Sequence, residues 1–161
     1  MLTKLESILR RQLSHRMHGR WLLTWHEDKE ITPGVPDLSY VMLGPGHETG
    51  WVELKAEPPG KSAKFKIESS QHQWMTPHVH RIPIHFLLAV GDEWFFVCAC
   101  HHVRLTERIT VEELTNIAVA KFPGDRVAEN SFLFSNATKR ITDGLQGIQR
   151  HQACHIDQGV P

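Results

Sequence analysis

Apolar residues recur along this chain with two different periods, and the changes of period divide it into elements. Leu2, Leu5, Leu9 and Leu13 are spaced by three and four, which predicts a helix with Thr3 as N-cap and Gly19 as its stop. Glu6 falls on the border of that stripe, beside Leu2 and Leu13. The run Trp21 to His26 reads as a strand, and two prolines and a glycine within residues 32–36 make a loop. Residues 37–43 read as a second strand, Gly44-Pro45-Gly46 as a turn, and residues 51–57 as a third strand closed by Pro58-Pro59-Gly60, together a hairpin. A helix over residues 68–76 should end or bend at Pro77. Ile84 to Val90 is nearly continuous in apolar residues and predicts a buried strand. After a Gly91-Asp92 turn, Trp94 to Cys100 predicts another. Thr110 with Glu113 at capping-box spacing opens a helix to about Lys121, and residues 136–152 predict a last helix before a fraying terminus.

This order of helix, three strands, helix, two strands and further helices predicts an α/β (α+β) domain with a central mixed sheet flanked by helices. A length of 161 residues with 40% hydrophobic and 22% charged positions supports one domain with an ordinary core and excludes wholesale disorder. No stretch approaches the ~18 apolar residues of a membrane span, so no membrane partner is expected. Three cysteines and no export signal point to free thiols in a reducing compartment, the cytoplasm (a host's, if the gene is a phage's).

The formal net charge is zero, which taken whole speaks against a polyanion partner. The charge is nonetheless segregated. Residues 1–20 carry a net +4, residues 27–57 a net −5 and residues 58–66 a net +3. An acidic centre between basic flanks suits a metal site beside a phosphate-binding surface.

The chemistry concentrates in Gly34-Val35-Pro36-Asp37 and Trp51-Val52-Glu53-Leu54-Lys55. Alternation on the third strand puts Trp51, Glu53 and Lys55 on one face. Asp37 begins the neighbouring strand, so hairpin pairing brings its carboxylate towards that of Glu53. Two adjacent carboxylates repel unless a cation resolves the conflict, and a hard divalent ion takes carboxylate, carbonyl and water oxygens. Alone, a Glu-x-Lys strand is an ordinary solvated face and Pro-Asp an ordinary turn; in this order across a hairpin they are specific.

These residues resemble the PD-(D/E)xK nuclease superfamily: Pro36-Asp37, then Glu53-Leu54-Lys55. The stretch Gly34 to Leu38 after a glutamate-bearing helix, and Gln71 followed by Trp74 on the next helix, look like its VRR-type nuclease branch. The resemblance covers roughly residues 3–100 and implies a restriction-endonuclease-like core, taken as residues 1–105; residues 106–161, without a counterpart there, are expected as a helical extension packed on the same domain. It implies that Asp37 and Glu53, with the Leu54 carbonyl, ligate Mg²⁺ or Mn²⁺, and that Lys55 positions or activates the hydrolytic water. Glu6 would complete the acidic cluster, and Gln71 would hydrogen-bond near the metal, the water or the scissile phosphate. The implied activity is a metal-dependent DNA endonuclease of the small, standalone, phage-like kind, a homodimer acting on branched or Holliday-junction DNA in repair or recombination. A nicking, exonucleolytic or restriction-like nuclease is the alternative among enzymes, and a catalytically silent DNA-binding or structural protein is the alternative outside them.

Other signals are weaker. Arg10, Arg11 and Arg16 on the first helix, with Lys61, Lys64 and Lys66, are candidates for DNA backbone contact. Cys98, Cys100 and His102 on one strand face, and His151, Cys154 and His155 on a helix, have the geometry for zinc but lack a CxxC knuckle. The five tryptophans are expected in the core more than on bases. Neither GxSxG nor a phosphate loop occurs.

Overall fold

The computed structural model describes residues 3–19, 21–26, 33–43 and 49–123. The first helix, α1 (Lys4–Met17), begins at Thr3, whose hydroxyl accepts from the Glu6 N–H while the Glu6 carboxylate accepts from the Thr3 N–H. Its buried residues Leu9, Leu13 and Met17 are spaced by four. That spacing turns the inward stripe away from Leu5, which is 41% exposed, and towards Glu6, three residues before Leu9. Glu6 therefore extends the core-facing line of α1 beyond its apolar end.

The strands are β1 (Trp21–Trp25), β2 (Leu38–Met42), β3 (Thr49–Glu57), β4 (Ser62–Ala63), β5 (Ile84–Val90), β6 (Glu93–Cys98), β7 (Ile109–Thr110) and β8 (Ala118–Pro123), with α2 (Ser69–His78) and α3 (Val111–Ile117) between them. Six strands form one mixed sheet in the order β1-β2-β3-β5-β6-β8, in which β3 and β5 run parallel and the other neighbours antiparallel. A second, two-stranded ladder pairs β4 with β7. The parallel β3–β5 pair needs a crossover, and the segment carrying α2 supplies it. All seven residues of β5 are buried, because helices cover both faces at the centre of the sheet. On one face Leu9, Leu13 and Met17 of α1 pack with Leu54, Leu87 and Trp94. On the other Met75 of α2 and Leu114 of α3 pack with Phe86, Leu88 and Phe95. Each such side chain, fully buried, contributes roughly 1.5–3 kcal/mol.

Three expectations are corrected. The helix opened by Thr110 ends at Ile117, not near Lys121, and residues 118–123 pair with β6 as an edge strand. The free edge of β6 offers a ladder that the short Ala-Val-Ala run accepts. The sheet thus continues past residue 105. The strand expected to Cys100 stops at Cys98, and Ala99–His101 form a 3₁₀ turn. Pro77 does not end α2 at once, since it lies inside the helix one residue before its end. The Gly44-Pro45-Gly46 turn, the helix over 136–152 and the rest of the extension beyond residue 123 lie outside the described residues.

A histidine sits within a central strand of the sheet. His85 on β5 is fully buried and stacks on Phe96 at 4.4 Å, with neither ring nitrogen hydrogen-bonded. Burial pushes its pKa down to about 3 from 6.5, so the fold holds it neutral. Between those values the unfolded chain takes up a proton that the folded chain refuses. Stability is therefore full above about pH 6.5 and falls as the pH drops towards 3. Urea unfolding should show this one-proton slope, about 2 kcal/mol between pH 7 and pH 5. His85→Phe should flatten that component; an unchanged slope would remove His85 as its source.

Candidate active site

The site is made where β2 and β3 part. The two strands pair from Val41↔Thr49 to Leu38↔Val52 and no further, and β3 continues alone on that side to Glu57. At the parting, the Leu54 N–H donates to Asp37 Oδ2 at 2.8 Å, so a carboxylate takes the place of the next ladder carbonyl. Asp37 is held there from the other side as well, because its backbone carbonyl accepts from the His26 N–H at 2.8 Å. In an extended strand a residue's N–H and C=O leave on the same side, so the Leu54 carbonyl faces the same gap.

Glu53 lies one residue earlier on β3, with its side chain on the α2 face, and is 1% exposed. Its Oε1 is 2.9 Å from Lys55 Nζ and accepts from Gln71 Nε2. Gln71 is fixed by a second bond, in which its Oε1 accepts from the Glu68 N–H at 2.9 Å. The one amide thus locks the first turn of α2 and orients the Glu53 carboxylate. Gly34 sets where that turn sits. Its φ is +85°, and a Cβ added there would lie 2.0 Å from the Ser70 carbonyl oxygen, so only glycine lets the loop before Asp37 touch α2.

These residues surround one cavity of about 560 Å³, lined by Glu6, Asp37, Glu53, Leu54, Lys55 and Gln71 among others. All six positions expected for the chemistry are there. Glu6 reaches it from α1 while serving its own helix cap, and its charge adds to burial in raising the pKa of Glu57, at the end of β3. Arg10 also lines the cavity, with its guanidinium 4.3 Å from the centre of the Trp25 ring. Arg11 is exposed on α1, and the side chain of Arg16 lies outside the described residues. Lys61, Lys64 and Lys66 are exposed and do not line the cavity, and Lys66 pairs with Glu68 at 2.7 Å. Trp25 and His26 are wall residues that the motifs did not indicate, because the end of β1 reaches the cavity only through its pairing with β2.

The cavity wall holds four acidic side chains (Glu6, Asp37, Glu53 and Glu68) against two basic ones, Arg10 and Lys55. Two buried carboxylates and a strand carbonyl suit a hard divalent ion that keeps part of its water. Among the described residues no group of three or more His, Cys, Asp or Glu side chains is arranged to hold a metal. Glu6 lines the same cavity from α1, and its carboxylate accepts from the Thr3 N–H. Cys98, Cys100 and His102, which the strand pattern would have put on one face, do not share a strand face, because the 3₁₀ turn at Ala99–His101 breaks the alternation. Cys98 instead accepts from the Cys100 N–H, and His102 Nδ1 meets His72 Nδ1 at 2.7 Å. His151, Cys154 and His155 lie outside the described residues.

No family model matches the chain, and none of the curated proteins compared with it matches. Among solved structures, the chain is similar to that of Hjc, a Holliday junction resolvase from the archaeal hyperthermophile Archaeoglobus fulgidus. The identity is 11% and the TM-score 0.49, over 68% of this chain and 89% of that one.

Gly34 and Gly19 both have positive φ, but a Cβ at Gly19 would meet nothing within 4 Å. Gly19→Ala should therefore lose only the backbone penalty, about 1–2 kcal/mol. Gly34→Ala should lose clearly more in a denaturant titration, since the first turn of α2 must also move. Equal losses would show that Gly34 does not set the position of Gln71.

Proposed function

We propose that this protein is a metal-dependent DNA endonuclease of the PD-(D/E)xK type, most akin to its VRR branch, which hydrolyses phosphodiester bonds. The observation that carries the reading is the capture of Leu54 N–H by Asp37. That bond puts the Pro-Asp motif against the Glu-x-Lys strand, with Gln71 bonded to the same glutamate. The motifs alone are degenerate. Their meeting in one acid-rich cavity is what a phosphodiesterase needs.

Asp37, Glu53 and the Leu54 carbonyl would hold Mg²⁺ or Mn²⁺. When bound, such an ion acts as a Lewis acid on a phosphate oxygen and lowers the pKa of a water molecule. The chain's own residues do the rest. Lys55, on the same strand face as Glu53, is placed to donate to the attacking water and to offset charge on the phosphate. Gln71 and Lys55 bond the same Glu53 oxygen and so hold that carboxylate in one orientation. Arg10 at the cavity wall supplies a cation for a neighbouring phosphate. In the reaction the water oxygen bonds to phosphorus, the bond to one ester oxygen breaks, and that oxygen takes a proton.

By the motif resemblance, branched DNA is the substrate class and a homodimer the working unit, since paired cuts on opposed strands need two sites related by a two-fold axis. A synthetic four-way junction and its component duplexes, incubated with Mg²⁺, should show cleavage of the junction first. Asp37→Ala and Glu53→Ala should abolish cleavage, Lys55→Ala should lower it about 100-fold or more, and Gln71→Ala about 10–100-fold. Chelation by EDTA should stop the reaction, and Mg²⁺ should restore it. Full activity in the Asp37 or Glu53 variant, with the fold intact by circular dichroism, would sink the mechanism.

A further inference from the structure

The cavity continues into a line of rings. His26, at its wall, stacks on Trp51 with ring centres 4.9 Å apart and planes at 27°. Trp51 meets Trp74 at 5.5 Å and 58°, and Trp74 stacks on His78 at 4.4 Å and 17°. The strip is built by the same two elements that build the site. On β3, Trp51 follows Lys55 and Glu53 along one face, two residues apart. On α2, Gln71, Trp74 and His78 fall at i, i+3 and i+7, on one stripe of the helix. Each element thus carries its ring on the same face as its cavity residue.

All four rings are half-buried rather than sunk in the core. Trp51 and Trp74 pack against the apolar cluster beneath α2, and stacking ties His26 and His78 to them. His26 is steadied by a hydrogen bond with Ser39 (3.1 Å), and the His78 ring by one to the Trp74 carbonyl (2.5 Å). At the far end the chain turns out of α2 through Arg81, which is exposed and whose N–H donates to the His78 carbonyl at 2.8 Å. The strip therefore runs from an acid-rich cavity to the exposed turn after α2, which carries Arg81. Flat, partly wetted π-surfaces continuous with such a cavity suit a nucleic-acid strand whose bases are free to stack. A continuous duplex keeps its bases stacked on each other and presents no ring faces.

We propose that His26, Trp51, Trp74 and His78 form a stacking surface for unpaired bases of the DNA strand that enters the cavity. The proposal rests on the nuclease reading and deepens it. It assigns the site to DNA with bases unpaired beside the scissile phosphate, such as a flap or the opened centre of a branch.

Binding of the full chain in EDTA, so that no cleavage occurs, tests this by fluorescence anisotropy. A duplex with a single-stranded arm is compared with a fully paired duplex of equal length. Wild type should prefer the armed substrate. Trp74→Ala and His78→Ala should each weaken its binding about tenfold while leaving the paired duplex within about twofold. Trp74→Phe keeps a ring and should retain most of the preference, and with His78→Ala it serves if Trp74→Ala does not fold. A 2-aminopurine in the arm should be quenched by wild type and less so by His78→Ala. Equal losses on both substrates, or none, would overturn the proposal. So would a variant that turns a dimer into a monomer in sedimentation, which would mark the strip as a protein interface. Wild type that binds no DNA would overturn the nuclease reading as well. Wild type that cleaves DNA but binds both substrates alike would overturn the stacking surface alone.

Discussion

A single substitution of acceptor organises this molecule: the Leu54 N–H bonds to a side-chain carboxylate where the strand ladder would have used a carbonyl. A sheet normally satisfies its backbone groups pair by pair, and a pair of strands that separates leaves buried donors unmet. Asp37 meets that need at the first open position. It therefore does two things with one group, completing the hydrogen bonding of β3 and bringing negative charge to the mouth of the gap. The Leu54 carbonyl, on the same side of β3 as that N–H, faces the same gap, and the cavity lies beside it.

Glu53 shows the complementary arrangement. A carboxylate at 1% exposure loses its hydration, and Lys55 and Gln71 both bond to one of its oxygens. Burying such a group is costly unless it is paired and hydrogen-bonded. The helix that supplies Gln71 is itself placed by the absence of a side chain at Gly34 and by the amide's bond to the Glu68 N–H. The geometry of the cavity is thus transmitted through short, direct contacts from three separate segments, without a long network between them.

The sequence was informative wherever the deciding forces are local. The continuous apolar run of β5 and the Thr110 capping pair stand in the fold where one periodicity and one cap place them, while the α1 stripe holds at Leu9 and Leu13 and gives way at Leu5. Asp37, Glu53 and Lys55 were legible because strand alternation and a hairpin suffice to bring them near one another. β8 was not legible, because residues 118–123 follow a well-capped helix and are taken from it only by the open edge of β6. The β4–β7 ladder is two residues long on each side and leaves almost no pattern. Nor could spacing reveal that His26 touches the site, or that Gly34, singled out with Asp37, acts by seating the first turn of α2, since both depend on what packs against them. The tryptophans expected in the core divide: Trp21 and Trp94 are buried, whereas Trp25, Trp51 and Trp74 keep a wetted side.

The parallel pairing of β3 with β5 bears on the order in which the chain assembles. Asp37 and Leu54 are joined across a short hairpin, whereas Trp51 must find Ile84 across the whole crossover. Closing the longer loop costs more chain entropy, and pairings of that separation form later in folding. On a ribosome, every residue of the cavity wall is made before the strand that stiffens β3 has emerged. The acidic gap is therefore outlined early and becomes rigid only once β5 is in place, so the site's precision is among the last properties the chain acquires.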